Sequence, residues 1–171
     1  MCLYHGTTYG AWKKIYTDGV IKTANASISP YANQGSRATE YGYVYLVDNI
    51  IDAVEYASWA ASAIEENHHQ AHRLLVVIKV DVPKCNLEID PIDTRSKPMT
   101  YGKGSYLRIK RNITMEEIVA IAGFQYENFQ ASCDDIDAWI KKEELLQKIK
   151  WKKPALILTS WNGTANYFNN R

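Results

Sequence analysis

The run from Leu74 to Val82 carries the clearest pattern in the chain: an apolar stretch that ends in alternation, with Ile78, Val80 and Val82 set against Lys79 and Asp81. A period of two marks a half-buried strand, and Pro83 closes it. Leu3-Tyr4-His5 predicts a short strand at the start. A helix follows through Trp12, Ile15 and Tyr16, capped by Thr7 or Thr8 and stopped by Gly19. Tyr43 to Val47 predicts another strand. Behind a cap at Asp48 or Asn49, the spacing of Ile51, Val54, Ala57, Ser58 and Ala61 predicts a helix from Ile50 to Glu66. Strands are expected at Ser105–Ile109 and Glu117–Phe124, with Thr114-Met115-Glu116-Glu117 between them at capping-box spacing. Ile136 to Ile149 reads as an amphipathic helix and Ala155 to Thr159 as a last strand. Residues 23–42 and 84–103 read as loops, and the first is long enough to imply function.

These elements predict a single α+β domain over residues 1–171, without an internal repeat or a linker. Composition narrows what such a domain does. Lys and Arg number 20 against 19 for Asp and Glu, and a net charge of +1 lacks the basic excess of a duplex-binding domain. Cys2, Cys85 and Cys133 are odd in number and far apart, which fits a reducing compartment better than a disulfide framework. With no charged leader, no apolar run of membrane-spanning length and no membrane partner implied, the cytoplasm is the expected location. Twelve tyrosines and five tryptophans against three phenylalanines favour aromatic surfaces with a polar handle, suited to flat ligands as well as to strand positions.

Three features fall where chemistry is done. Tyr4-His5-Gly6-Thr7 leaves the first strand, and a glycine beside the histidine lets a ligand approach the backbone. Gly42-Tyr43-Val44-Tyr45-Leu46-Val47-Asp48 forms the next strand. Tyr56 lies on the helix after it, eleven residues beyond Tyr45, so that two phenol rings can face each other across a slot that takes a flat heteroaromatic ring.

In this register the chain resembles the ADP-ribosyltransferase superfamily. The match is His-Gly-Thr, then a tryptophan, an isoleucine and Gly-Val, then Gly-x-Val-Tyr-Leu-x-Asp and Ala-x-x-Tyr, over residues 3–58. The nearer branch is the poly(ADP-ribose) polymerase or diphtheria-toxin type with its His-Tyr-Glu signature, and a bacterial or phage toxin or effector fits it. The resemblance implies a split fold of two facing sheets with an NAD cleft between them, into which the strands around Tyr4, Tyr45, Val80, Leu107, Val119 and Ile157 would pair. It implies an enzyme that cleaves NAD as co-substrate, without a metal, and moves ADP-ribose to a macromolecule, a protein being favoured over nucleic acid by the neutral charge. Carried over by position, His5 would bind a ribose hydroxyl, the Gly6 backbone the nicotinamide carboxamide, and Tyr45 and Tyr56 the two faces of the nicotinamide ring. Thr7 would line the same wall, and Arg37 is a candidate for the diphosphate on charge alone.

The chain departs from the pattern at the glutamate that the family carries at the start of a later strand. Ser105 stands in that place, Glu116 and Glu117 lie near it, and Gln125-Tyr126-Glu127 follows the wrong strand. A catalytically inactive NAD- or ADP-ribose-binding module is therefore one alternative. An RNA 2'-phosphotransferase-like enzyme is another, and would draw on Arg37, Arg73, Arg95, Arg108 and Arg111. His68 and His72 have the spacing of metal ligands but read as a solvated helix end, since no acidic group supports them. The basic stretch Lys141–Lys153 reads as a solvated helix face.

Overall fold

The computed structural model describes residues 1–25, 40–65, 74–91, 105–125 and 149–156. The described elements run β1 (Cys2–Thr8), α1 (Tyr9–Asp18), β2 (Val20–Ile21), β3 (Val44–Val47), α2 (Ile50–Glu65), β4 (Leu74–Asp81), β5 (Leu87–Ile89), β6 (Tyr106–Ile109), β7 (Ile113–Thr114) and β8 (Ile118–Gln125). Short 3-10 turns precede β5 and β8. Thr8 caps α1, its Oγ1 accepting from the Ala11 N–H at 3.3 Å, and Gly19 ends it at φ 70°, a left-handed position where a side chain is strained. Asn49 caps α2, its Oδ1 accepting from the N–H groups of Ile51 (2.8 Å) and Asp52 (3.2 Å). The capping box at Thr114 forms as its spacing predicts, but it starts the turn Met115–Glu117 and not a longer helix. Glu117 accepts from the Thr114 N–H at 3.0 Å.

One antiparallel sheet organises the molecule, in the order β5-β6-β3-β1-β4-β8. β4 is apolar from Leu74 to Ile78 because both its faces are covered there. Val76, Ile78 and Val80 join Leu3, Trp12, Val44, Leu46 and Ile121 in a core beneath α1. Leu75 and Val77 join Val47, Ala53, Ala57, Ala61 and Phe124 beneath α2. The small ribbon of β2 and β7 adds Ile21 and Ile113 to the α1 side. A mostly antiparallel sheet with two helices makes this an α+β protein, as the sequence predicts.

The expected division into two facing sheets is corrected. The strands around Tyr4, Tyr45, Val80, Leu107 and Val119 lie edge to edge in the one six-stranded sheet, and Ile157 lies outside the described residues. Each face of that sheet finds its cover in a helix, so no second sheet is needed to bury it. The division survives as a seam. β1 pairs with β4 from Cys2↔Asp81 to Thr8↔Leu75, and β3 with β6 from Val44↔Ile109 to Val47↔Tyr106. Between β1 and β3, the described register is Tyr4↔Val47 alone.

Two further expectations change. Leu87–Ile89 is a strand inside the stretch read as loop, paired to β6. Of the strand expected over Ala155–Thr159, Ala155 and Leu156 are not in a strand and their carbonyls accept from Trp12 Nε1 (3.0 Å) and the Tyr9 hydroxyl (2.9 Å), while 157–159 lie outside the described residues. Lys152 instead exchanges both backbone bonds with Ile121, at 2.9 Å each, on the outer edge of β8. The helix expected over Ile136–Ile149 falls outside the described residues up to 148, as do His68 and His72.

Candidate functional site

Two residues of the sequence motif meet at the seam, His5 on β1 and the Tyr45 backbone on β3. Gly6 follows His5 on β1, and its missing Cβ has a clear cause. An alanine Cβ there would fall 1.8 Å from the Ala53 carbonyl oxygen and 2.9 Å from the Ala57 nitrogen. Gly6 and the small residues Ala53, Ala57 and Ala61 thus let α2 lie directly on β1. Beyond Tyr4↔Val47 the seam is bridged by a side chain: His5 Nδ1 lies 3.0 Å from the Tyr45 carbonyl oxygen.

A carbonyl only accepts, so this contact places the proton on Nδ1 and leaves Nε2 with its lone pair when the ring is neutral. Burial favours that neutral form and drives the His5 pKa below its usual 6.5, against the smaller upward pull of the Tyr45 carbonyl. The imidazole is therefore oriented by the backbone and offers one acceptor.

Strand alternation sorts the other candidates by face. His5 and Thr7 are registered against Ile78 and Val76, on the α1 side. Tyr45 falls between Val44 and Leu46, which belong to the α1 core, and so points to the α2 side with Val47. Tyr56, on α2, packs into that same side and meets Tyr106 edge-on, with ring centres 6.0 Å apart at 68°. Tyr45 and Tyr56 thus share a face, while His5 lies on the opposite one and touches only the Tyr45 backbone carbonyl. Thr7 is buried beside His5 rather than beside the tyrosines.

Ser105 lies apart from Tyr45. Its N–H donates to Asp48 Oδ1 at 2.7 Å and its carbonyl accepts from the Asp48 N–H at 3.3 Å, which fastens β3 to β6 at the end away from Tyr45. Glu117 is engaged by Arg111 through both oxygens, at 2.6 and 2.8 Å, a pairing that holds its carboxyl below the usual range. Arg37, Arg73, Arg95 and Glu127 lie outside the described residues.

What sequence reasoning missed is the neighbourhood of Tyr45. Its register partner on β6 is Arg108, a nearly buried guanidinium that binds Glu40 at 2.5 Å and Glu88 at 3.2 Å and lies 4.0 Å over the Tyr43 ring. The Tyr45 hydroxyl accepts from the Glu40 N–H at 2.7 Å and donates to the Glu40 carbonyl at 3.1 Å. An arginine inside the otherwise apolar strand Tyr106–Ile109 was the available signal. Its partners come from two other segments and left no local trace.

No family model matches the chain, and no curated protein does. Among solved structures, the chain is similar to the X-ray crystal structure of protein CC0527 from Caulobacter crescentus, at 15% identity over 72% of this chain and 85% of that one, with a TM-score of 0.37. A double mutant of the same protein matches with the same values. No helix among the described residues is long and apolar enough to cross a membrane.

Proposed function

We propose that the protein is an NAD-dependent mono-ADP-ribosyltransferase of effector type, acting in the cytoplasm on a macromolecular acceptor. The observation that carries this reading is the seam. A histidine on β1, oriented through Nδ1, bonds the backbone carbonyl of a tyrosine on β3 where two halves of a sheet are held by one registered pair and that side-chain bond. A dinucleotide lying along that seam would meet the Nε2 acceptor at a ribose hydroxyl. Its nicotinamide would enter the side shared by Tyr45 and Tyr56, where ring stacking is worth about 1–3 kcal/mol.

In the reaction the bond between the ribose anomeric carbon and the nicotinamide nitrogen breaks, and the electron pair leaves with nicotinamide, which becomes neutral. An acceptor nucleophile then bonds that carbon and gives up its proton. The protein has to hold the substrate bent and favour the developing cation. On this reading NAD binds at the seam of a single sheet and not between two sheets. The neutral net charge favours a protein acceptor. The phosphotransferase alternative gains little, since the two described arginines it would use are engaged by glutamates.

His5→Asn tests the reading. The asparagine amide can replace Nδ1–H toward Tyr45 but has nothing at the place of Nε2. The variant should melt near the parent and release no nicotinamide from NAD. Parental turnover in His5→Asn sinks the transferase assignment, as does a parent that neither binds nor cleaves NAD.

A further inference from the structure

Arg108 invites explanation, because burying a guanidinium on a sheet costs more than burying a leucine or methionine of similar size unless its partners are well placed. Its partners do two different things. Glu88 on β5 and the Tyr43 ring, which comes from the β3 side, hold the guanidinium between them. Glu40 connects it to Tyr45, because the residue whose carboxylate binds Arg108 also exchanges both backbone hydrogen bonds with the Tyr45 hydroxyl. The two bonds spend the hydroxyl's one proton on the Glu40 carbonyl and one of its lone pairs on the Glu40 N–H. With its proton committed, what Tyr45 chiefly offers a ligand is the face of its ring.

We propose that Arg108 and Glu40 are positioning residues, a relay that fixes the Tyr45 ring at the seam so that its face, and not its hydroxyl, meets the ligand. Its link to catalysis rests on the transferase reading above. The relay itself does not, since it concerns the ring whatever the ligand. A hydroxyl pinned at two points cannot swing, so the ring pays no ordering entropy when a flat ligand stacks on it. Glu40 and Glu88 are each about half exposed, so neither ion pair explains itself through stability. Their difference lies in what else each residue holds.

Burial pushes the Tyr45 phenol up to about 12, while the Glu40 N–H bond and, less strongly, the Arg108 charge pull it the other way. That opposition makes a sharp test. The ionisation of each tyrosine can be followed by NMR in the full chain labelled at the tyrosine ring carbons, with Tyr45→Phe assigning the signal. If Arg108→Met merely removed a positive charge, the Tyr45 pKa would rise. If the relay holds, Glu40 is released and water reaches the hydroxyl; burial is the largest influence on it, so its loss outweighs that of the Glu40 bond and the pKa falls toward its ordinary range. Arg108→Lys keeps the charge but not the two-sided fork and should fall likewise. The Tyr4 signal, stacked on Trp151 at 5.8 Å, reports whether the rest of the fold is intact. Should Arg108→Met fail to fold, Glu40→Ala and Glu88→Ala replace it: the relay requires the large fall in Glu40→Ala alone. A Tyr45 pKa that stays or rises in Arg108→Met and Arg108→Lys, or equal shifts in Glu40→Ala and Glu88→Ala, overturns the relay. Nicotinamide release by the parent is measured alongside. A parent that turns over NAD while Tyr45 is indifferent to Arg108 sinks the relay alone, and a relay confirmed in a parent that never cleaves NAD sinks only the transferase reading.

Discussion

Nδ1 of His5 can bond the Tyr45 carbonyl only as a donor, so this residue is at once a fastener of the seam and the bearer of a free Nε2 acceptor. On the transferase reading, the two roles would make stability and activity titrate together. Because burial lowers the folded-state pKa of His5 below 6.5, the unfolded chain takes up a proton first as the pH falls. Stability from the neutral ring is therefore complete above 6.5 and is lost as the pH drops from there through the folded pKa. Thermal midpoints of the parent and of His5→Asn between neutrality and about pH 5 should converge or cross, the parent losing more. Parallel curves would show that His5 is not the titrating group. At the same scale, the histidine, glycine and two tyrosines stood out in the sequence through their spacing, whereas Arg108 and its glutamates became visible only when β3, β5 and β6 lay side by side.

Elements formed where local signals agreed. Thr8 and Gly19 bound α1, Asn49 starts α2, and alternation defined β4, all within the reach of a few residues. β5 was hidden because three residues are too few to show a period, and its pairing with β6 is a tertiary matter. The contact between α2 and β1 is the most demanding in the molecule. Gly6→Ala drives a Cβ into the Ala53 carbonyl, backbone that cannot rotate aside. The helix has to shift, and overpacking of this sort costs about 1–3 kcal/mol or more. Urea unfolding should register that loss in Gly6→Ala, and a parental midpoint would mean that α2 does not lie against β1 as described. The same result separates two explanations of Gly6, since a purely ligand-serving glycine would lose NAD affinity without losing stability.

At the scale of the whole molecule, the sheet behaves as two ladders of three strands. β1, β4 and β8 are joined along long registers, and β5, β6 and β3 along theirs. The seam between the two has one registered pair, the His5 bond and the cover of α2 to hold it. Regions with few cross-links open first. Native-state hydrogen exchange should accordingly show the amides of Leu107 and Ile109 opening at lower free energy than those of Val77 and Ile121. Equal opening energies for the two groups would mean that the sheet is one cooperative unit and that the seam has no mechanical meaning.

The sequence by itself determined the helices, most of the longer strands and the α+β class, because caps, periodicity and turn residues act over neighbouring positions. It also singled out His5, Gly6, Tyr45 and Tyr56 as candidates for chemistry, since their spacing is a property of the chain. Only the tertiary structure decided that the strands share one sheet with a seam and that His5 and the tyrosines point to opposite faces of it. It alone decided, too, that Ser105 fastens Asp48 while Arg108 stands beside Tyr45. The reason is physical. Strand order and the burial of a charge depend on which distant segments arrive at the same place, and that follows from closing both faces of the sheet at once rather than from any local run of residues.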